Sequence, residues 1–265
     1  MPELAEVESV RKKAAVALVG KRVKEVWAAE DRLVFDEEEP GRLAERMKGA
    51  WVSGTGRKGK YFWLEMEGGG ALLLHLGMTG WMEFREGGDE RPRFAKLELM
   101  MEDGSRGVFR DARRLGRIRW RNDPEAERPV SELGFDPLLA LPAASEFVRD
   151  LRKRKAPVKA VLLDQGFSAG IGNWLADEIL YQARIDPRRR ANDLSDQEAK
   201  TIRSVMKRVV NRAVAVDADD ERFPKSWLFH VRWGKTKGAT TVEGHPLAFT
   251  VVGGRTTAWV PGRQG

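Results

Sequence analysis

Residues 168–178 read "SAGIGNWLADE". Gly170 and Gly172 let the backbone turn tightly and approach a partner with no Cβ in the way. Upstream, Pro157 suits the first turn of a helix carrying Val158, Val161 and Leu162 to a stop at Gly166. Downstream, "WLADEILYQARI" (174–185) reads as a second helix closed by Pro187. The stretch is therefore a helix, two closely spaced turns and a helix. The amides at the start of the second helix point outward as an anion site, and Asn173 adds a side-chain donor beside Gly172. A phosphate grip is one reading; a helix-joining turn is the other.

The pattern around this stretch is helical. Ser145 is placed to cap a helix through Leu151, and Ser195 with Glu198 forms a capping box for one extending to about Val216. The tail "WLFHVRWG…TTAWVPG" returns to alternation, with glycine pairs marking a hairpin. Toward the N-terminus, Pro124, Pro129, Pro137 and Pro142 mark a linker. Before it, Leu4, Val7, Val10, Ala14 and Leu18 predict an amphipathic helix ending at Gly20. After that helix the period becomes two. "VKEVW" (23–27), "KYFWLEME" (60–67), "ALLLHL" (71–76), "AKLELMM" (95–101) and "RIRWR" (117–121) read as strands. The expected fold class is α+β. A β-sandwich with a leading helix spans 1–125, a linker 126–144, a helix-two-turn-helix domain 145–220, and a β-hairpin finger 221–265.

The chain has 265 residues, enough for two cores. No run reaches the roughly 20 apolar residues of a membrane span, and no secretory pattern opens the chain. A soluble cytoplasmic monomer is expected, nucleoid-associated in a bacterium or nuclear in a eukaryote. There is no cysteine and there are three histidines, too few and too scattered for a metal cage, so neither metal nor cofactor is expected. Lys and Arg outnumber Asp and Glu by 47 to 40, giving a net charge of +7. "SRGVFRDARRLGRIRWR" (105–121) holds seven arginines and one acid, while "EDRLVFDEEEPGRLAE" (30–45) is mostly acidic. "RDLRKRKAPVK" (149–159), with Lys155, adds a second basic cluster. Segregation of this kind predicts a basic face over a nucleic-acid groove, with an acidic surface elsewhere.

Six ordered motifs carry a resemblance: "MPELAEVE" (1–8), "GRKGKYFWLE" (56–65), "LHLGMTG" (74–80), "RDARRLG" (110–116), "GIGNWLADEIL" (170–180) and "VGGRTTAWVP" (252–261). Together they span nearly the whole chain and resemble the formamidopyrimidine-DNA glycosylases. "FPKSWLFHVRWGKTKG", followed by a cysteine-free hairpin, is most similar to the plant-type branch with a zincless finger. The resemblance implies a bifunctional glycosylase and abasic-site lyase acting on damaged duplex DNA.

In that family the nucleophile is the N-terminal proline, here Pro2 once Met1 is removed. Glu3 matches the acid, and Glu6, three residues on, faces the same side. Lys60 matches a phosphate contact beside the lesion. Met78, Arg113 and Leu115, with Arg114 between the latter two, match the side chains that fill the space left by a flipped nucleotide. Arg255 matches the finger arginine. Ala5 replaces the family's usual proline, and Leu115 its phenylalanine. Without the family, the acids of "PELAEVE" are explained by the helix dipole, and Met78 and Leu115 by core packing. A non-catalytic binder of the same fold, and an endonuclease VIII-like enzyme for oxidised pyrimidines, are the alternatives. Leu4 favours purine lesions, and the shortness of 217–229 favours formamidopyrimidine over 8-oxoguanine.

Overall fold

The structure is a computed structural model that describes residues 2–88, 90–234, 238–241 and 243–265. Met1, and residues 235–237 of the "FPKSWLFHVRWGKTKG" motif, lie outside the described residues. The chain divides into two units, 1–132 and 133–265.

The first unit opens with α1 (Leu4–Leu18), in which Leu4, Val7, Val10, Ala14 and Leu18 are fully buried. There follow β1 (Val23–Ala28), α2 (Pro40–Met47), β2 (Val52–Lys58), β3 (Tyr61–Met66), β4 (Ala71–His75), β5 (Trp81–Glu86), β6 (Ala95–Met101), β7 (Ser105–Arg110) and β8 (Arg117–Arg121). The strands pair antiparallel in two four-stranded sheets, β1-β6-β7-β5 and β2-β3-β4-β8. Phe62, Leu64, Leu72 and Leu74 from one sheet and Leu97, Leu99 and Phe109 from the other share a core with the buried face of α1. That helix contacts strands of both sheets, so its N-terminus is fixed by the sandwich. The alternating runs become strands as expected, while α2, β2, β5 and β7 add elements that alternation did not mark.

One expectation is corrected. The arginines of 105–121 do not form a free basic face over a groove, with the acids of 30–45 lying elsewhere. Arg114 pairs with Asp31 at 2.9 Å, Arg117 and Arg119 with Asp36 at 3.2 and 2.7 Å, and Arg121 with Glu37 at 2.6 Å. Arg106 and Arg110 pair with Glu98 and Glu83. Opposite charges far apart in sequence neutralise one another across the fold. Among the described residues, Arg113 is the one arginine of the seven with no carboxylate partner.

The second unit contains α3 (Ala144–Arg152), α4 (Val158–Leu163), α5 (Asn173–Ala183), α6 (Asp196–Ala215), β9 (Ala248–Val252) and β10 (Arg255–Trp259). Ser195 caps α6 as read: its Oγ accepts the Glu198 N–H at 3.2 Å, and its own N–H donates to Glu198 Oε2 at 2.7 Å. At α3 the cap moves. Ala143 is the N-cap, its N–H donates to Glu146 Oε2 at 3.3 Å, and Ser145 lies inside the helix. "WLFHVRWG" is not a strand. Leu228–His230 forms a 3-10 turn because Phe223, Trp227 and Phe229 pack around Trp174, at ring-centroid distances of 5.5, 6.4 and 5.1 Å from it. β9 and β10 form the expected hairpin. Among the described residues no helix is long and apolar enough to cross a membrane.

Candidate active site and nucleic-acid interface

In the first unit, the N-terminal turn is packed inward. Pro2 is half-buried, and Glu3, the N-cap of α1, is only 2% exposed. The Glu3 N–H donates to Glu6 Oε2 at 3.0 Å, and the Glu3 carbonyl accepts the Val7 N–H at 3.0 Å. Glu6 thus ties down the backbone beside Pro2. Ala5 is fully buried.

Lys60 lies in the two-residue turn between β2 and β3, behind Gly59 at φ +60°. Buried Arg57 couples this turn to α1. Its Nε donates to Glu8 Oε2 at 2.9 Å and its NH1 to the Gly59 carbonyl at 3.0 Å. Glu8 also accepts two hydrogen bonds from Arg11, at 2.8 and 3.0 Å. Burial pushes the Glu8 carboxyl up, but the two guanidiniums outweigh it and hold the group below its ordinary value. The helix that begins at Glu3 and the turn that carries Lys60 are therefore one bracketed piece. Beside it, His75 is held at about 4 by burial and by the positive charges of Lys60, Arg119 and Arg117. Its imidazole is neutral at pH 7, with Nδ1 accepting the Gly77 N–H at 3.2 Å. Arg57→Met leaves Glu8 with one cation in place of two and is expected to destabilise the first unit by about 3 kcal/mol, the cost of breaking a buried pair. Thermal unfolding with a probe in that unit checks this.

The "LHLGMTG" and "RDARRLG" motifs meet. Met78 is 41% exposed on the turn after β4, and Leu115 is 38% exposed on the loop before β8. Buried Asp111 joins the loops: Oδ1 accepts from Thr79 Oγ1 at 2.8 Å and from the Arg113 N–H at 3.1 Å, and Oδ2 accepts the Gly116 N–H at 2.6 Å. A Cβ on Gly77 would stand 2.5 Å from the Leu115 carbonyl oxygen, so only glycine permits this contact. The Arg113 side chain is exposed, with no carboxylate partner among the described residues. Arg114 differs, because its guanidinium is bidentate on Asp31, with Nε donating to Oδ2 and NH2 to Oδ1, each at 2.9 Å. Burial raises the Asp31 carboxyl, but Arg114 and Lys96 outweigh it and keep it ionised.

In the second unit, Gly172 caps α5 and Gly170 takes φ +93°, forming the expected double turn. The Asn173 side chain turns inward. Its Nδ2 donates to the Thr256 carbonyl at 2.9 Å, and its Oδ1 accepts from Lys159 Nζ at 2.7 Å. Asn173 thus joins the helical turn to β10. Gly253 and Gly254, both left-handed, form the hairpin tip, with exposed Arg255 directly after them. Lys155 is exposed. Within 149–159, Arg149, Arg152, Lys153, Arg154 and Lys159 pair with carboxylates, and Lys155 does not among the described residues. Lys159, counted with that basic cluster, is instead fully buried. Its signal is an isolated lysine in the apolar run "VKAVLL", facing an Asn173–Asp177 pair spaced one helical turn apart.

Glu178, next on α5, is fully buried and accepts from Gln182 Nε2 at 2.7 Å and from the Phe229 N–H at 2.9 Å. Burial pushes its carboxyl up to about 7 despite those bonds. A carboxyl raised on folding contributes stability that is present below its ordinary value of 4.5 and lost as the pH rises to about 7. The unfolding free energy of the second unit, from urea titration, should therefore fall between pH 5 and 8, by on the order of 2 kcal/mol. Glu178→Gln should remove most of that slope.

The sequence model of the formamidopyrimidine-DNA glycosylase N-terminal domain matches residues 1–118, and that of the H2TH domain of the same enzymes matches 133–224. The chain belongs to the formamidopyrimidine-DNA glycosylase family. It is 37% identical over 277 residues to a formamidopyrimidine-DNA glycosylase of Arabidopsis thaliana, covering all of this chain and 71% of that one. It is 33% identical over 270 residues to one of Geobacter sulfurreducens, covering 98% of each. Among solved structures, it resembles the Lactococcus lactis enzyme in complex with DNA containing an abasic site, at 25% identity, TM-score 0.86 and 99% coverage of each chain. It also resembles a variant of that enzyme with DNA containing a formamidopyrimidine, at 25% identity, TM-score 0.87 and 99% coverage of each. Sandwich, double turn and hairpin are thus the parts of a glycosylase of this family.

Proposed function

We propose that this chain is a bifunctional DNA glycosylase and abasic-site lyase that removes oxidised purines from duplex DNA. Membership of the family supports the reaction class. The observation that carries the residue roles is the bracket of Glu8 and Arg57, which fixes the Lys60 turn to the helix that begins at Glu3.

The target base first leaves the stack, and Met78, Arg113 and Leu115 occupy the gap. The secondary amine of Pro2 attacks the deoxyribose C1′. The bond from C1′ to the base breaks, and the base departs with a proton. Glu3 protonates O4′ as the sugar ring opens, leaving an iminium between C1′ and the proline nitrogen. The iminium withdraws electrons from C2′, so a C2′ proton is lost and the 3′-phosphate leaves. A second elimination then expels the 5′-phosphate. Lys60, Lys155, Arg255 and the amides from Gly172 onward hold the backbone phosphates. Such an enzyme works where duplex DNA lies, in the bacterial cytoplasm or a eukaryotic nucleus.

The lesion preference follows from residues 217–229. They are taken up by a 3-10 turn over Asp220–Arg222 and by buried Phe223, Trp227, Leu228 and Phe229, leaving no long loop to cover a base. Ring-opened formamidopyrimidine, which carries more exocyclic polar atoms to grip, is therefore the better substrate. Single-turnover excision should run at least about tenfold faster on formamidopyrimidine than on 8-oxoguanine, a difference of one pocket contact, and should leave phosphate at both ends of the gap. Faster excision of 8-oxoguanine, or of oxidised pyrimidines, would overturn the preference.

A further inference from the structure

Three charged side chains in the second unit are withdrawn from water, and the reaction above uses neither Asp177 nor Arg232. Asp177 and Lys159 have fully buried side chains and Arg232 nearly so. Asp177 Oδ1 lies 2.7 Å from Lys159 Nζ. Its Oδ2 accepts from Arg232 at 2.7 and 3.3 Å and from the Ala258 N–H at 3.1 Å. Lys159 also donates to Thr257 Oγ1 at 2.7 Å, beside its bond to Asn173. One carboxylate on α5 thus gathers α4, the 228–232 segment and β10, three residues from Arg255.

Tyr181, Leu228, Ala258 and Val260 form a buried apolar cluster close by. Withdrawing three charges from water is unfavourable unless each is matched, and a matched set fixes geometry that apolar packing leaves free to slide. We propose that Asp177 is a positioning residue: it locks the β9–β10 hairpin to the α4–α5 turn, so that Arg255 and the amides opening α5 meet DNA phosphates at a fixed spacing. In a chain without cysteine, charge does the work of a cross-link. The proposal rests on the reading that turn and hairpin grip DNA.

Hydrogen exchange of the full chain, followed by mass spectrometry, tests the lock without DNA. In Asp177→Asn, peptides covering 248–259 should exchange about tenfold faster while peptides of α1 and the sandwich stay unchanged. Kd for a duplex carrying a tetrahydrofuran abasic analogue should rise about tenfold, and the salt dependence should weaken by roughly one released ion. Hairpin exchange within twofold of wild type overturns the proposal. So does a loosened hairpin with unchanged Kd and salt slope, which makes Asp177 structural only. If Asp177→Asn does not fold, Arg232→Gln is read the same way, since it keeps the bonds of Asp177 to Lys159 and Ala258. A wild-type chain that fails to bind the duplex refutes the functional reading, while exchange still judges the lock.

Discussion

Borohydride reduction of the chain mixed with a duplex containing an abasic site is expected to give a covalent adduct when the chain begins at Pro2. When Met1 is retained, adduct yield should fall at least a hundredfold. With Met1 in place the Pro2 nitrogen is an amide, its lone pair delocalised into the carbonyl, and it cannot attack C1′. Freed of Met1, the Pro2 nitrogen is a secondary amine whose neutral form has a lone pair available to attack. A secondary amine can only give a charged iminium, the strongest available electron sink. Pro2→Gly retains an amine but loses the ring and its fixed direction, so its adduct should form more slowly. Equal adduct from the Met1-retaining chain would sink the assignment. No adduct from the correctly processed chain, with binding intact, would favour a non-catalytic binder of the same fold.

How far the fold was legible depends on the element. α1 and α6 announced themselves through apolar spacing and a capping box, and their packing agrees. β2, "VSGTGRK", did not, because glycines depress strand propensity. In the structure they are needed: a Cβ on Gly56 would stand 2.2 Å from the Trp63 ring that lies across it. "WLFHVRWG" alternates like a strand, yet burial of its aromatic rings around Trp174 dominates, and a short run cannot reveal that partner. The basic stretch misled for a related reason, since counting charges cannot see that residues 31–37 fold back onto 114–121. What remained after pairing, Arg113 and Lys155, is the informative residue of each cluster. Glu3 and Lys60 were legible only as members of an ordered set of motifs, whereas the Arg57 and Glu8 link that joins them needs coordinates.

Glu3→Gln should lower single-turnover base excision by about a hundredfold or more, within the range set by loss of a positioned general acid. Glu3 is the buried N-cap of α1, and glutamine keeps its size, while the backbone bonds to Glu6 and Val7 do not involve its side chain. The unfolding free energy should therefore stay within about 1 kcal/mol of wild type, as for an isosteric change at a cap. What disappears is a proton for O4′ at the moment the sugar ring opens. The two activities of the enzyme should consequently separate. A preformed abasic sugar already exchanges between closed ring and open aldehyde in water, so its capture by Pro2 does not wait for that proton, and adduct formation should fall less than tenfold. Excision by Glu3→Gln within threefold of wild type would remove Glu3 from the chemistry. An equal, large loss of both activities would instead assign it to holding the Pro2 amine in place, a role that Glu6, bonded to the Glu3 amide, would then share.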